Sequence, residues 1–208
     1  MEIAVLGANG KTGRLVVAEA LERGNSVVAV VRDPSRVEIE HARLHVARAD
    51  ATDEVALTGA LVGVDAVVST LGRSSQGGPR RPVFAPAMRA TLEAMRATGA
   101  GRLSVISAQG VGEEPDDGLA LPLRLMRRLV GSAIDDMREM EQLVKASNVQ
   151  WTIARAGGLT NQPKGPHIVE PGNALKGHGR TRRADLAETL VLAVTDDRWP
   201  RQAVVVAT

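Results

Sequence analysis

The stretch AVLGANGKTGRLVV, residues 4–17, decides which fold the rest of the chain is expected to complete. A short apolar run comes first, glycines follow at Gly7, Gly10 and Gly13, and an apolar spacing typical of a helix ends the stretch. In such a strand–turn–helix context, the first glycine permits a tight turn, the second lets a pyrophosphate approach the backbone, and the third permits close helix packing. Free N–H groups at the start of the helix then attract phosphates. We therefore predict a dinucleotide-binding turn rather than a glycine-rich turn without a ligand.

Short apolar runs alternate with helix-period segments along most of the 208 residues. The predicted strands are Ile3–Leu6, Ser26–Val31, Arg43–Ala47, Ala66–Thr70, Leu103–Ser107, Thr152–Ala156 and Ala203–Ala207. The predicted helices are Gly13–Arg23, Glu54–Leu61, Val83–Thr98, Ile134–Ser147 and Ala184–Thr195. Several strands are rich in Val and Ile on both faces, so this alternation predicts an α/β fold. We expect a Rossmann-type, doubly wound parallel sheet with helices on both faces, formed by one domain over residues 1–208.

Three segments interrupt the alternation: residues 72–82, 110–132 and 157–180. They leave the carboxyl ends of strands, where open α/β sheets bind ligands, so we expect small loops on the substrate side. We interpret the arginine-bearing part of the second segment as a substrate lid or a subunit contact rather than as a membrane-surface helix.

Composition excludes several function classes. The chain has no cysteine, which excludes disulfides, thiolate metal sites and cysteine nucleophiles. The formal net charge is only +2, without a basic stripe interleaved with aromatic residues, so nucleic-acid binding is not expected. His41, His45, His167 and His178 are interpreted as solvated or structural, and we expect no metal site. No apolar run approaches the ~20 residues of a membrane span. We expect a cytoplasmic protein, either a monomer or a homodimer.

Seven segments, in this order, resemble one known family: GANGKTG, VVRDPSR, ARADATD, DAVVSTLG, LSVISAQG, MEQLVKASNVQWTIARAGGLTN and RRADLAE. The chain is similar to the atypical, NmrA-like branch of the short-chain dehydrogenase/reductase family, including its short flavin reductase and biliverdin reductase relatives. The resemblance covers nearly the whole chain and implies an NAD(P)-binding protein.

The identity of the dinucleotide is predicted from charge at the end of the second strand. An NAD site places an acidic side chain there to accept a hydrogen bond from the ribose 2′-OH. This chain has Arg32 at that place, with Arg36 close behind, while Asp33 comes one residue late. A guanidinium binds a 2′-phosphate through charge-assisted hydrogen bonds, so NADP (as NADPH) is favoured over NAD.

The resemblance and the turn together imply a set of cofactor contacts. These are Gly7, Asn9, Gly10, Lys11, Thr12, Gly13, Arg32, Arg36, Asp50, Ala51, Leu71, Gly72, Ser107, Gly157 and Gly158. By resemblance, Asp50 and Ala51 border the adenine, Leu71 and Gly72 lie beside the ribose, and the last two glycines offer N–H groups to the nicotinamide carboxamide. Arg14 is interpreted either as a phosphate ligand or as a solvated helix arginine.

The family's usual acid is a tyrosine activated by a lysine, and this chain contains no tyrosine. If Glu141 is aligned with the family's glutamate, Met137 occupies the place of the lysine. Ser107 is the one weak catalytic candidate, and capping of the turn after its strand explains this serine equally well. Gln109 and Asn161 are candidates for substrate contact.

The sequence therefore predicts an NADPH-dependent oxidoreductase that transfers a hydride to a small-molecule acceptor needing no acid from the protein. Flavins, quinones and linear tetrapyrroles are such acceptors. The alternative is an NADP(H)-binding sensor or regulator of NmrA-like type that binds the dinucleotide and a protein partner without turnover. A third reading, an isomerase on the same scaffold, also stays open because a fold does not decide a function.

Overall fold

The computed structural model describes residues 1–72, 82–112, 131–175, 177, 179–196 and 198–208. Most of the predicted loops 72–82 and 110–132 lies outside these residues, and so does His178. The strands are β1 (Glu2–Leu6), β2 (Ser26–Val31), β3 (Leu44–Arg48), β4 (Ala66–Ser69), β5 (Arg102–Ala108), β6 (Gln150–Ala156), β7 (Gly158–Thr160), β8 (Ile168–Pro171), β9 (Arg180–Arg182) and β10 (Gln202–Ala207). The helices are α1 (Lys11–Glu22), α2 (Glu54–Ala60), α3 (Phe84–Thr98), α4 (Gly131–Ala146) and α5 (Arg183–Thr195), with a 3₁₀ turn at Pro34–Arg36.

Eight strands form one sheet in the order β3-β2-β1-β4-β5-β6-β10-β8. All neighbours in this sheet are parallel except β10 and β8, which are antiparallel. The predicted doubly wound parallel sheet is confirmed. The edge strand β8 and the separate two-stranded pair of β7 and β9 were not predicted, because segments of three or four residues are too short to show a period.

Apolar side chains cover both faces of the sheet. On one face, a cluster joins the strands to α2, α3 and α4; its large members are Leu6, Leu57, Leu61, Met88, Met95, Leu103, Met140 and Ile153. On the other face, a second cluster joins the strands to α1 and α5; its large members are Ile3, Val5, Val16, Leu21, Val27, Leu186 and Leu190. The helices therefore lie on both faces as predicted, which leaves the carboxyl edge of the parallel strands for a ligand.

Some element boundaries differ from the predicted ones. Helix α1 begins at Lys11 rather than Gly13, and α4 begins at Gly131 rather than Ile134. An apolar period marks the first buried residue of a helix, whereas the backbone begins to coil up to a turn earlier. Strand β3 lies one residue later than predicted, at Leu44–Arg48. Among the described residues, none of the helices has the length and apolar character that crossing a membrane requires.

Candidate functional site

The glycine turn connects β1 to α1 at the carboxyl edge of the sheet. Gly7 has φ +78°, a left-handed conformation that side-chain-bearing residues rarely adopt, and a Cβ there would lie 3.1 Å from Thr70 Oγ1. A Cβ on Gly13 would lie 2.2 Å from the Gly7 carbonyl oxygen, closer than any real contact. The fold itself therefore requires glycine at both positions, one for backbone conformation and one for close packing of α1.

Gly10 differs from its two neighbours in the motif. Its φ of −72° suits any residue, and among the described residues a Cβ there would have only the Gly7 carbonyl oxygen within 4 Å, at 3.1 Å. Gly10 is also the N-cap of α1, and α1 has neither a side-chain cap nor an acidic residue in its first turn. The protein thus keeps open space beside uncapped N–H groups of Lys11 and Thr12, an arrangement that fits a pyrophosphate.

Arginines gather where β2 and β3 end. Arg32 follows β2, Arg36 ends the 3₁₀ turn, and both are exposed. Arg48 ends β3 and pairs in register with Val31, the residue before Arg32. The Arg32 guanidinium makes no hydrogen bond or ion pair with any residue in the described ranges. Arg48 was missed by sequence reasoning, because its position beside Arg32 depends on the register of two strands.

Asp33 is held away from the role of an NAD-type ribose acceptor. Its Oδ1 accepts hydrogen bonds from the backbone N–H (3.2 Å) and the hydroxyl (2.7 Å) of Ser35. The Ser35 hydroxyl is the main cause that lowers the pKa of Asp33, and the charges of Arg36 and Arg48 lower it further. Asp33 is therefore an ionised cap of its own turn, with the charges of Arg36 and Arg48 nearby.

Asp50 lies after β3 on the predicted adenine side, next to half-buried Ala51. Its Oδ1 accepts from the Thr52 backbone N–H (2.9 Å) and hydroxyl (2.8 Å). These bonds lower the pKa of Asp50, and the nearby charge of Arg32 contributes. The structure thus brings Asp50 and Arg32, predicted separately, to one part of the site.

The nicotinamide end is expected where β4, β5 and β6 end. Leu71 and Gly72 follow β4, and Gly72 is exposed, with none of the described residues within 4 Å of a Cβ added to it. Ser107 is only 3% exposed, and its Oγ has no hydrogen-bond partner among the described residues. Because a buried hydroxyl without a partner is costly, this atom points to a ligand that would supply one. Gln109 is buried nearby, and its backbone N–H donates to the Ala156 carbonyl (2.9 Å).

The N–H groups of Gly157 and Gly158, predicted to face a carboxamide, have partners within the protein. The Gly157 N–H donates to Thr181 Oγ1 (2.8 Å), and the Gly158 N–H donates to the Gly179 carbonyl (2.7 Å), so neither is left for a carboxamide. A Cβ on Gly157 would lie 2.5 Å from the Gly179 carbonyl oxygen. The close approach of the chain before β9 therefore explains the glycine at position 157.

Two further polar candidates have partners within the protein. Exposed Asn161 accepts a hydrogen bond from Arg183 Nη1 (2.7 Å) directly after β7. Arg14 is partly exposed, and its guanidinium forms an ion pair with Glu38 (2.7 Å). Within the described part of the chain, no three His, Asp or Glu side chains are grouped to hold a metal ion.

A buried ion pair next to Ser107 was not predicted. Arg155 on β6 is 0% exposed and pairs in register with Ser107, so both side chains lie on the same face of the sheet. Its guanidinium donates to both carboxylate oxygens of Glu141 on α4, at 3.1 and 2.6 Å, and to the Gly172 carbonyl at 2.8 Å. Met137, one turn before Glu141, packs against the core. An apolar side chain thus occupies the place of the family's lysine, and the Arg155 guanidinium next to Ser107 has Glu141 as its counter-charge.

Several known proteins resemble this chain in sequence or in fold. The profile of a family described as NAD(P)H-binding matches residues 7–197. Quinone oxidoreductase 2 of Escherichia coli K12 is 30% identical over 158 residues, which cover 74% of this chain and 48% of that protein. An anaerobilin reductase from Escherichia coli O157:H7 has a TM-score of 0.81 at 20% identity, covering 100% of this chain and 97% of that one. A short-chain dehydrogenase/reductase from Veillonella parvula, solved with NADP, has a TM-score of 0.80 at 18% identity, covering 100% and 94%. The predicted Rossmann-type fold is confirmed.

Proposed function

The chain belongs to the NAD(P)H-binding family, as its resemblance to the atypical short-chain dehydrogenase/reductases predicted, and from this premise we propose an NADPH-dependent reductase of flavins or quinones. The single observation that carries the choice of acceptor is the absence of tyrosine from a chain whose cofactor-binding turn is intact. NADPH supplies the hydride when it is bound. The protein positions the cofactor against the acceptor, and a proton from water completes the reduced product.

The cofactor half of the proposal rests on the residues that meet at the carboxyl edge. The open space at Gly10 and the uncapped start of α1 suit the pyrophosphate. Arg36 and Arg48 lie near the Asp33 carboxylate, which is already engaged by Ser35, and Arg32 lies near Asp50, so these charges suit a 2′-phosphate better than a bare 2′-OH.

Arg32→Ala tests the choice between NADPH and NADH. Loss of a charge-assisted hydrogen bond to the 2′-phosphate should cost ~1.5–3 kcal/mol. NADPH binding measured by calorimetry should weaken roughly tenfold to hundredfold, with NADH binding nearly unchanged. Arg96→Ala is the control, because Arg96 lies in the last turn of α3, at the opposite edge of the sheet, and pairs with Glu93. Equal losses for both dinucleotides in Arg32→Ala would contradict the assignment.

The proposed class of hydride acceptor rests on the residues around Ser107. A ketone reduced by hydride becomes an alkoxide, which needs a proton donor in the transition state. The hydroxyl of Ser107 is a poor acid alone, and Met137 brings no cation to activate it. Flavins and quinones can take their proton from water after reduction. The names of two similar proteins, a quinone oxidoreductase and an anaerobilin reductase, support this class of acceptor.

Purified protein with NADPH is therefore expected to oxidise the cofactor when a flavin or a quinone is added, and not with simple aliphatic ketones. The loss of NADPH absorbance measures turnover. Reduction of ketones would reveal an acid that the proposal lacks. If tight NADPH binding is accompanied by no reduction across a broad acceptor panel, the sensor function replaces the reductase.

Ser107→Ala separates positioning from proton donation in the same assay. A single neutral hydrogen bond contributes ~0.5–1.5 kcal/mol, so the rate should fall only modestly. Because Ser107 Oγ has no partner among the described residues, the free protein should lose no thermal stability. A fall of roughly a hundredfold or more in rate would identify Ser107 as a proton donor.

A further inference from the structure

Arg14 makes more contacts than any neighbouring cation of the candidate site. Its Nη1 donates to Glu38 Oε2 (2.7 Å) and its Nη2 to Glu38 Oε1 (3.2 Å). Nη2 also donates to the backbone carbonyl of Arg36 (3.4 Å), and Nε donates to that of Asn9 (3.3 Å). One guanidinium therefore joins the glycine turn to the segment after β2.

The segment that Arg14 contacts carries Arg32 and Arg36, the two arginines proposed to bind the 2′-phosphate. Residues 32–36 are all exposed, so little burial fixes their position. Besides Arg14, one other side chain ties the segment to the glycine turn, since Asn9 Nδ2 donates to the Asp33 carbonyl (3.1 Å). Half-buried Val37 anchors the end of this segment on the core, and contacts made from the glycine turn and the start of α1 fix the exposed part that precedes it.

We propose that Arg14, braced by Glu38, is a positioning residue for dinucleotide specificity: it holds the 32–38 segment so that Arg32 and Arg36 face the 2′-phosphate. This inference rests on the proposed NADPH site. It assigns Arg14 no contact with the cofactor, because its donors are used within the protein. It also gives a function to Glu38, a carboxylate that would otherwise repel a phosphate.

Arginine suits this role for a geometric reason. Its planar fork can reach a carboxylate with two nitrogens while the third nitrogen serves a carbonyl on the other side, which a lysine ammonium cannot do. The ion pair itself is partly exposed, with the Arg14 and Glu38 side chains at 38% and 72%, so its contribution to stability is small. Its effect should appear in cofactor discrimination rather than in the free energy of unfolding.

Glu38→Gln is the deciding variant, because two explanations predict opposite signs. If Glu38 acts through Arg14, its loss loosens the segment, and NADPH binding should weaken about fivefold with NADH binding changed less than about twofold. If Glu38 only contributes charge, its loss removes a repulsion and frees a cation, so NADPH should bind more tightly. Calorimetric titration with each dinucleotide distinguishes the two, and thermal denaturation checks the fold.

Arg14→Lys and a double variant complete the test. Arg14→Lys keeps the charge but lacks the fork, so it should match Glu38→Gln. Arg14→Met with Glu38→Gln should weaken NADPH binding no further than Arg14→Met alone, because both changes remove the same contact. Glu93→Gln is the matched control, since it breaks a comparable surface pair on α3.

The outcomes separate this inference from the proposed site. If Arg32→Ala removes the preference for NADPH but Glu38→Gln and Arg14→Lys keep it, the site stands and the positioning role is overturned. Tighter NADPH binding in Glu38→Gln overturns it as well. If the unmodified protein binds NADPH and NADH equally, the proposed NADPH site fails, and the inference fails with it.

Discussion

Replacing Glu141 by alanine is expected to lower the free energy of unfolding by about 3–5 kcal/mol, because it leaves a buried guanidinium without its counter-charge. Arg155 is 0% exposed and Glu141 only 2%, and their two hydrogen bonds measure 3.1 and 2.6 Å. Of the contacts described for Arg155, the one to the Gly172 carbonyl would remain, and a carbonyl dipole does not neutralise a cation. Urea denaturation followed by circular dichroism measures the loss.

Two variants accompany this measurement. Glu139→Ala is the matched control on the same helix, because Glu139 is half exposed and pairs with exposed Arg89, so the change should stay within about 0.5 kcal/mol. Glu141→Ala with Arg155→Met should recover a large part of the stability, since the buried charge is removed together with its partner. A loss below about 1 kcal/mol in the single variant would show that Arg155 finds another anion or water.

Gly10→Val is expected to abolish measurable NADPH binding while the protein stays folded. The backbone at Gly10 has φ −72°, which valine can adopt, and among the described residues the new Cβ would have a single near neighbour, the Gly7 carbonyl oxygen at 3.1 Å, which must shift by a few tenths of an ångström. The branched side chain would instead occupy the space that a pyrophosphate needs in front of α1. Fluorescence titration with NADPH should show no saturation, and the circular dichroism spectrum should be that of the unmodified protein.

Gly59→Val is the matched control for this experiment. Gly59 lies in α2, and a Cβ there has nothing within 4 Å, so valine should change neither the fold nor NADPH binding. Gly13→Val would not serve, because a Cβ at that position collides with the Gly7 carbonyl and would disturb the fold itself. Retained NADPH affinity in Gly10→Val would mean that the dinucleotide binds away from the glycine turn.

The effects expected for Glu141→Ala and for Gly10→Val concern two different ends of the candidate site. The glycine turn is the proposed pyrophosphate site, and the Arg155–Glu141 pair lies on the strand and the helix next to Ser107. In the proposed function, the absence of tyrosine and the apolar Met137 at the place of the family's lysine leave positioning as the protein's contribution to the chemistry.

Features with a local physical cause were predictable from the sequence. The parallel sheet follows from strand–helix alternation, because each apolar period reports which face of its own element is buried. The need for glycine at Gly7 and Gly13 was predictable because it depends on backbone conformation and close packing within one turn. The candidate role of Arg32 was predicted from its position directly after β2. The predicted cofactor class depends on these residues, and the family match agrees with it.

Features that join residues distant in the chain were decided only by the tertiary structure. Arg48 reaches Arg32 through the register of β2 and β3, and Arg14 meets Glu38 across 24 positions. The N–H groups of Gly157 and Gly158 were predicted to be free, yet the chain before β9 uses one of them and explains the glycine at position 157. By itself, the sequence determined the five helices and the seven longer strands, the glycine turn and the absence of a tyrosine acid. Which polar groups are paired and which are left for a ligand was decided by the packing of elements, because hydrogen bonds and ion pairs depend on distances that no local pattern encodes.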